Sequence, residues 1–230
     1  MNLDEVIESL PSYANDLKLN FSTVVRRQTE LTEQQLSGTV VAAAIASRNE
    51  QLIAAAVDEA VTHLTVEALG AAKAAAAIMA MNNVFYRFKH LTSNEKYITM
   101  RGGLRMNVMR THGIDPLDFE LWAKVVSAIN NCAACVDAHE KVLREKGFTE
   151  EKILAGIRVA AVLHAVAVVL DAEKIATAQP VGAELHLIRG TVELSYSAET
   201  LPRRCCNLLK LPRPHTSQAL VTYVLVPCAV

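Results

Sequence analysis

The sequence predicts an all-α protein, and two observations carry that prediction. Apolar residues make up 51% of the 230-residue chain while aromatics make up only 5%, because alanine is so abundant; alanine is the strongest helix former and lets helices pack closely. Apolar stripes also recur at helical spacing, as in Ala71, Ala74, Ala75, Ile78 and Met79, or Leu121, Trp122, Val125, Val126 and Ile129.

Residues 3 to 19 read as an amphipathic helix that Pro11 breaks into two short pieces. Leu31-Thr32-Glu33-Gln34-Gln35 starts a helix that runs to Arg48, where Asn49 permits a turn. Helices over 52–64 and from Val66 to about His90 follow, and the second ends in Met81-Asn82-Asn83-Val84-Phe85-Tyr86-Arg87. Gly102-Gly103, then Leu104-Arg105-Met106-Asn107, make a loop leading into a short helix. Asp115-Pro116 starts the next helix, which carries Glu120, and the Asn130-Asn131 pair stops it and offers an N-cap for its successor. A long helix starts near Thr149-Glu150-Glu151. The Thr39 to Asp58 stretch faintly echoes Lys124 to Asp137, each followed by a long helix, which two halves built on one plan would explain.

After Ala176 the character changes. Five of the seven prolines and three of the five cysteines (Cys205, Cys206, Cys228) fall there, and the helical period is lost. Residues 1–176 are therefore expected to be the helical domain, and 177–230 an irregular tail, poorly ordered or loosely docked. Its β-prone pieces, His186-Leu187-Ile188 and Val221 to Val226, are too few for an independent sheet, and the second is an aggregation risk if exposed.

Composition also excludes functions. A net charge of −1 without blocks of like charge gives no electrostatic support for nucleic acid or an anionic membrane surface. The N-terminus carries Asp4 and Glu5 where a signal peptide has a basic region. The longest apolar run, Val159 to Leu170, falls short of the roughly 20 residues needed to span a bilayer. A soluble, cytoplasmic protein is expected, and in that reducing compartment an odd number of cysteines suggests no disulfide framework.

Chemistry concentrates in Asn131-Cys132-Ala133-Ala134-Cys135-Val136-Asp137-Ala138-His139-Glu140. On a helix, Cys132, Cys135 and His139 share one stripe, with Cys132 in the first turn and His139 one turn beyond Cys135. The unpaired N–H groups and positive dipole of a helix start favour thiolate, an imidazole one turn away can carry the proton, and a disulfide across the turn is reasonable. The residues leave three readings open: redox, metal, or structure alone. Zinc would need a fourth ligand, for which Cys205, Cys206 or Glu120 are candidates, but a second Cys/His pair at short spacing is absent. A thioredoxin-type site fails for want of a βαβ pattern. His63, His90, His112 and His164 have no partner at ligand spacing and read as surface or core residues.

Several separated motifs in order carry a more specific signal. Phe119-Glu120-Leu121-Trp122, Ser127-Ala128-Ile129-Asn130, the Cys132/Cys135/His139-Glu140 group, Met81 to Arg87 and Leu104 to Asn107 resemble the alkyl hydroperoxide reductase D-type proteins, alkylhydroperoxidases of the carboxymuconolactone decarboxylase superfamily. The resemblance covers residues 3 to 176 and implies a helical homotrimer that reduces organic hydroperoxides without a bound cofactor or metal. It implies dihydrolipoamide as reducing substrate, supplied by dihydrolipoamide acyltransferase and dihydrolipoyl dehydrogenase, and an alkyl hydroperoxide reductase C-type peroxiredoxin as partner. Cys135 would be the peroxidatic thiolate, Cys132 the resolving thiol and His139 the proton carrier, with Glu120 orienting His139. Two departures stand out: Ala134 occupies a position that is histidine in some members, and the tail has no counterpart. The alternative is a thiol–disulfide adaptor that passes electrons from dihydrolipoamide to the peroxiredoxin with little peroxidase activity of its own.

Overall fold

Local capping chemistry sets most of the helix boundaries. The structure, a computed structural model, describes residues 1–177 and three short strands between 184 and 224. It divides into two compact units, 1–173 and 174–230. In the first, α1 (Leu3–Glu8) is closed by a reciprocal capping box between Asn2 and Glu5. Pro11 then forces extended backbone before a 3₁₀ turn and α2 (Asn15–Phe21). The expected break is there, but the helical path continues past residue 19 through a five-residue π turn, Ser22–Arg26.

Thr32 and Gln35 cap α3 (Glu33–Ser47) reciprocally, and Arg48 ends it in the left-handed conformation at φ 66°. The Asn49 side chain accepts from the Leu52 amide, so α4 (Glu50–Ala60) starts earlier than apolar spacing suggests. It also ends earlier, because the amides of Thr62 and His63 turn back to Glu59 and Ala60. Thr65 caps α5 (Val66–Leu91). Two single-turn helices follow: α6 (Lys96–Thr99), unforeseen, and α7 (Val108–Thr111), the short helix expected after the glycine pair. Asp115 caps α8 (Pro116–Ile129), with proline at the first position where its missing N–H is harmless. The chain continues in α9 (Ala133–Glu145) and α10 (Glu150–Thr177). The order of two moderate helices and one long one occurs twice, as α3-α4-α5 and α8-α9-α10, in keeping with two halves of one plan.

α3 supplies two cores. Its Val40, Ala43 and Ala44 pack with Val6, Phe21, Leu52, Val159, Leu163 and Val166. Val41 and Ala42 belong to the second core, with Ala72, Met79, Phe119, Trp122, Val126 and Leu143. Alanines at these crossings permit close approach, and Gly38 shows how close: a Cβ there would sit 2.0 Å from the Trp122 ring. Trp122 donates from its indole to the Gln35 carbonyl at 3.1 Å, and buried Asp118 accepts from the amides of Gln34 and Gln35. By length and composition α5 and α10 are each able to cross a membrane, but both bury residues in these cores.

In the second unit, β1 (Glu184–Ile188), β2 (Thr191–Tyr196) and β3 (Val221–Val224) pair antiparallel in the order β1-β2-β3. Ile188 pairs with Thr191, leaving two residues for the β1–β2 connection. His186-Leu187-Ile188 and the Val221–Val224 part of the second β-prone piece thus lie on strands of a small sheet, where too few strands were expected. The added strand is 191–196, whose Val192, Leu194 and Tyr196 alternate with polar residues. Apart from these strands, the expected disorder or loose docking of 177–230 falls outside the described residues.

Candidate functional site

The turn from α8 to α9 places the cysteines. Asn131 adopts φ 54°, which lets its amide reach the Ala128 carbonyl and the Cys132 amide reach the Ser127 carbonyl, closing the end of α8. The asparagine pair therefore stops α8 as expected but does not cap α9. Cys132 itself holds the N-cap position, with no side-chain cap bond, and its carbonyl receives the amides of Cys135 and Val136. Cys132 lies just before the first turn rather than in it, because the left-handed residue uses up one step of chain. Asparagine tolerates that conformation better than most residues.

The turn is braced from α5. Asn83 donates to the Ser127 hydroxyl at 3.0 Å and accepts from the Asn130 amide at 2.9 Å, while Arg87 donates to the Asn130 carbonyl at 2.8 Å. A second brace comes from Lys124, only 4% exposed, whose ammonium donates to the Val136 carbonyl at 3.1 Å and pairs with Glu140 at 2.7 Å. A buried ammonium is costly unless paired in this way, so α9 is held against α8 beside the cysteines.

Cys132 and Cys135 are joined in a disulfide with Cα atoms 5.3 Å apart. Both are buried, but only Cys135 lines a pocket of about 370 Å³, together with Met79, Asn82, Tyr86, Met106, Met109, Ala134, Ala138 and His139. The pocket is almost wholly apolar apart from Asn82, Tyr86, the cysteine and the imidazole. His139 Nδ1 lies 2.6 Å from Glu120 Oε2, and its other ring nitrogen lies 3.3 Å from the Met79 sulfur. All four candidate residues thus meet at one place: Cys135 and His139 on the pocket, Cys132 behind Cys135, Glu120 behind His139.

Among the described residues no group of three or more His, Cys, Asp and Glu could hold a metal ion, and Cys205 and Cys206 lie outside those residues. His63 contacts Glu33, His112 stacks on Phe119 and His164 contacts Ser47, all apart from the cysteines. Sequence reasoning missed Met79, Asn82 and Lys124. Lys124 had one usable signal, its position one helical turn after Glu120 on the same face.

This arrangement permits thiol chemistry at a helix N-terminus, with a proton carrier anchored by a carboxylate and an apolar chamber for an organic substrate. Residues 96–178 match the carboxymuconolactone decarboxylase family. The chain is 63% identical over 175 residues to a protein of Acidobacterium capsulatum named alkyl hydroperoxide reductase AhpD, a match over 76% of this chain and 96% of the relative. AhpD proteins of Koribacter versatilis and Solibacter usitatus are 63% and 57% identical, over 76% and 75% of this chain and 90% and 97% of theirs. Each match leaves about a quarter of the chain without a counterpart.

Proposed function

The chain belongs to the AhpD-type alkyl hydroperoxide reductases of the carboxymuconolactone decarboxylase family, and on that premise we propose that it reduces organic hydroperoxides through Cys132 and Cys135. The observation that carries the reading is Cys135 on an apolar pocket beside an imidazole held by Glu120.

In the reduced protein His139 takes the Cys135 proton, and the thiolate attacks the distal oxygen of the hydroperoxide. An S–O bond forms as the O–O bond breaks, sulfur is oxidised by two electrons, and the leaving alkoxide takes the proton back from His139 to depart as an alcohol. Cys132 then attacks the sulfenic sulfur, water leaves and the disulfide forms. A dihydrolipoyl dithiol supplies two electrons and two protons through a mixed disulfide, and itself becomes a disulfide. Glu120 fixes the orientation of His139 and steadies the imidazolium.

Dihydrolipoamide acyltransferase and dihydrolipoyl dehydrogenase belong to this reading as the electron supply, a cytoplasmic homotrimer as its form, and an alkyl hydroperoxide reductase C-type peroxiredoxin as its partner. One feature favours adaptor work alongside peroxidase work. Ala134 stands next to Cys135 on the pocket wall where some relatives carry histidine, so proton delivery rests on His139 alone while disulfide exchange is untouched. Hydroperoxide consumption with purified protein, dihydrolipoamide and dihydrolipoyl dehydrogenase tests the reading. Turnover without peroxiredoxin supports the peroxidase, and turnover only with it supports the adaptor.

A further inference from the structure

In the pocket wall stands one polar group whose hydrogen-bonding capacity the protein leaves unused. Asn82 is 4% exposed, and its Oδ1 accepts no hydrogen bond from any protein donor. Its Nδ2 meets only the Met109 sulfur, at 3.8 Å, a weak acceptor at long range. The neighbouring Asn83, equally buried one residue on, is satisfied by Ser127 and Asn130. A buried amide oxygen without a donor destabilises a fold, and such groups are rare unless they have a task.

We propose that Asn82 is the substrate-positioning residue of the pocket: its Oδ1 accepts a hydrogen bond from the terminal O–H of the hydroperoxide. This rests on the peroxidase reading above. The pairing is chemically selective, because a hydroperoxide ends in a donor that a dialkyl peroxide or an ether lacks. In a chamber walled by Met79, Met106, Met109, alanines and Tyr86 around the Cys135 and His139 pair, a buried acceptor without a donor fixes which end of the substrate lies toward Cys135. The hydrogen that Asn82 holds stays on the distal oxygen throughout, since that oxygen passes with its hydrogen to the cysteine sulfur as the sulfenic acid. The bond therefore persists as the O–O bond breaks, and the amide is not consumed. The alkyl group occupies the methionine side, where flexible thioethers accommodate varied chains.

The test uses the full chain, pre-reduced, mixed with cumene hydroperoxide, with disulfide formation followed in single turnover. Asn82→Leu keeps the branched shape and the number of side-chain heavy atoms and removes the acceptor, and Asn82→Ala serves if the bulkier leucine disturbs packing. Second-order oxidation by the hydroperoxide should fall by roughly ten- to a hundredfold, the usual consequence of removing a buried polar partner. The melting temperature should hold or rise, because an unsatisfied buried group has gone, and reduction of the disulfide by dihydrolipoamide should keep its wild-type rate. A merely structural asparagine predicts the reverse, a lower melting temperature with both half-reactions slowed together. If wild-type protein consumes the hydroperoxide and Asn82→Leu oxidises equally fast, the positioning role is overturned while the peroxidase reading stands. If the wild-type protein does not react, the peroxidase reading itself fails, and with it this role.

Discussion

Glu120 Oε2 lies 2.6 Å from His139 Nδ1, joining α8 to α9 across nineteen residues of sequence. Glu120 does not line the pocket, so it orients the imidazole from outside it. General acid–base assistance is typically worth ~10²- to 10⁴-fold, so His139→Ala should slow oxidation of the reduced protein by a factor in that range. Glu120→Gln leaves a ring partner in place and should cost only part of that loss. Stopped-flow oxidation by hydroperoxide checks both; a Glu120→Gln rate equal to wild type would remove the carboxylate from the mechanism.

Ala134 faces the same pocket as His139, beside Cys135. A second imidazole at that position should raise the oxidation rate modestly, well short of the ~10² that a sole proton carrier contributes. Ala134→His should therefore quicken the peroxide step and leave exchange with dihydrolipoamide little changed across pH 6 to 8. His139→Ala should stay slow in either background. No change in the peroxide step on adding the imidazole would show that proton transfer does not limit it.

Packing around Trp122 predicts a stability effect remote from the cysteines. Gly38→Ala would drive a methyl group to within 2.0 Å of a fully buried indole that is pinned to the Gln35 carbonyl. Overpacking typically costs 1–3 kcal/mol, and with so little room about 3 kcal/mol or more is expected. Urea unfolding of the variant measures it, and an unchanged midpoint would mean that α3 and α8 part easily.

Among the described residues, both cores are built from Leu3 to Leu170. Truncation after Ala176 should therefore leave the melting temperature and hydroperoxide turnover close to those of the full chain. A fall of many degrees would show that the final segment stabilises the helical domain.

Much of the helical order was legible because its causes are local. Thr32 with Gln35, Thr65, and Asp115 with Pro116 are start signals that act within one turn. The spacing of Cys135 and His139 likewise foretold that both reach the pocket from one face of α9. The N-cap place of Cys132 was not legible, because it depends on Asn131 turning left-handed to close the preceding helix. Nor does sequence spacing bring Glu120 to His139, which requires α8 to pack along α9; that pairing came from family resemblance. Asn82 escaped because on an alanine-rich helix such as α5 nothing local says which polar side chain faces inward, and Lys124, for all its spacing from Glu120, meets the Val136 carbonyl and Glu140 only once α9 packs on α8. The early end of α4 and the single turn of α6 reflect loop hydrogen bonds that periodicity does not see.

Single-turnover stoichiometry tests the central claim most directly. Fully reduced protein is mixed with one equivalent of an alkyl hydroperoxide, the alcohol is quantified, and the cysteines are mapped by mass spectrometry. The account predicts one alcohol per chain and one new Cys132–Cys135 disulfide. Cys132→Ser should still yield one alcohol and a sulfenic acid on Cys135 but fail to turn over with dihydrolipoamide. Cys135→Ser should yield none. Stoichiometric alcohol from Cys135→Ser, or consumption of hydroperoxide that leaves both thiols reduced, would contradict it.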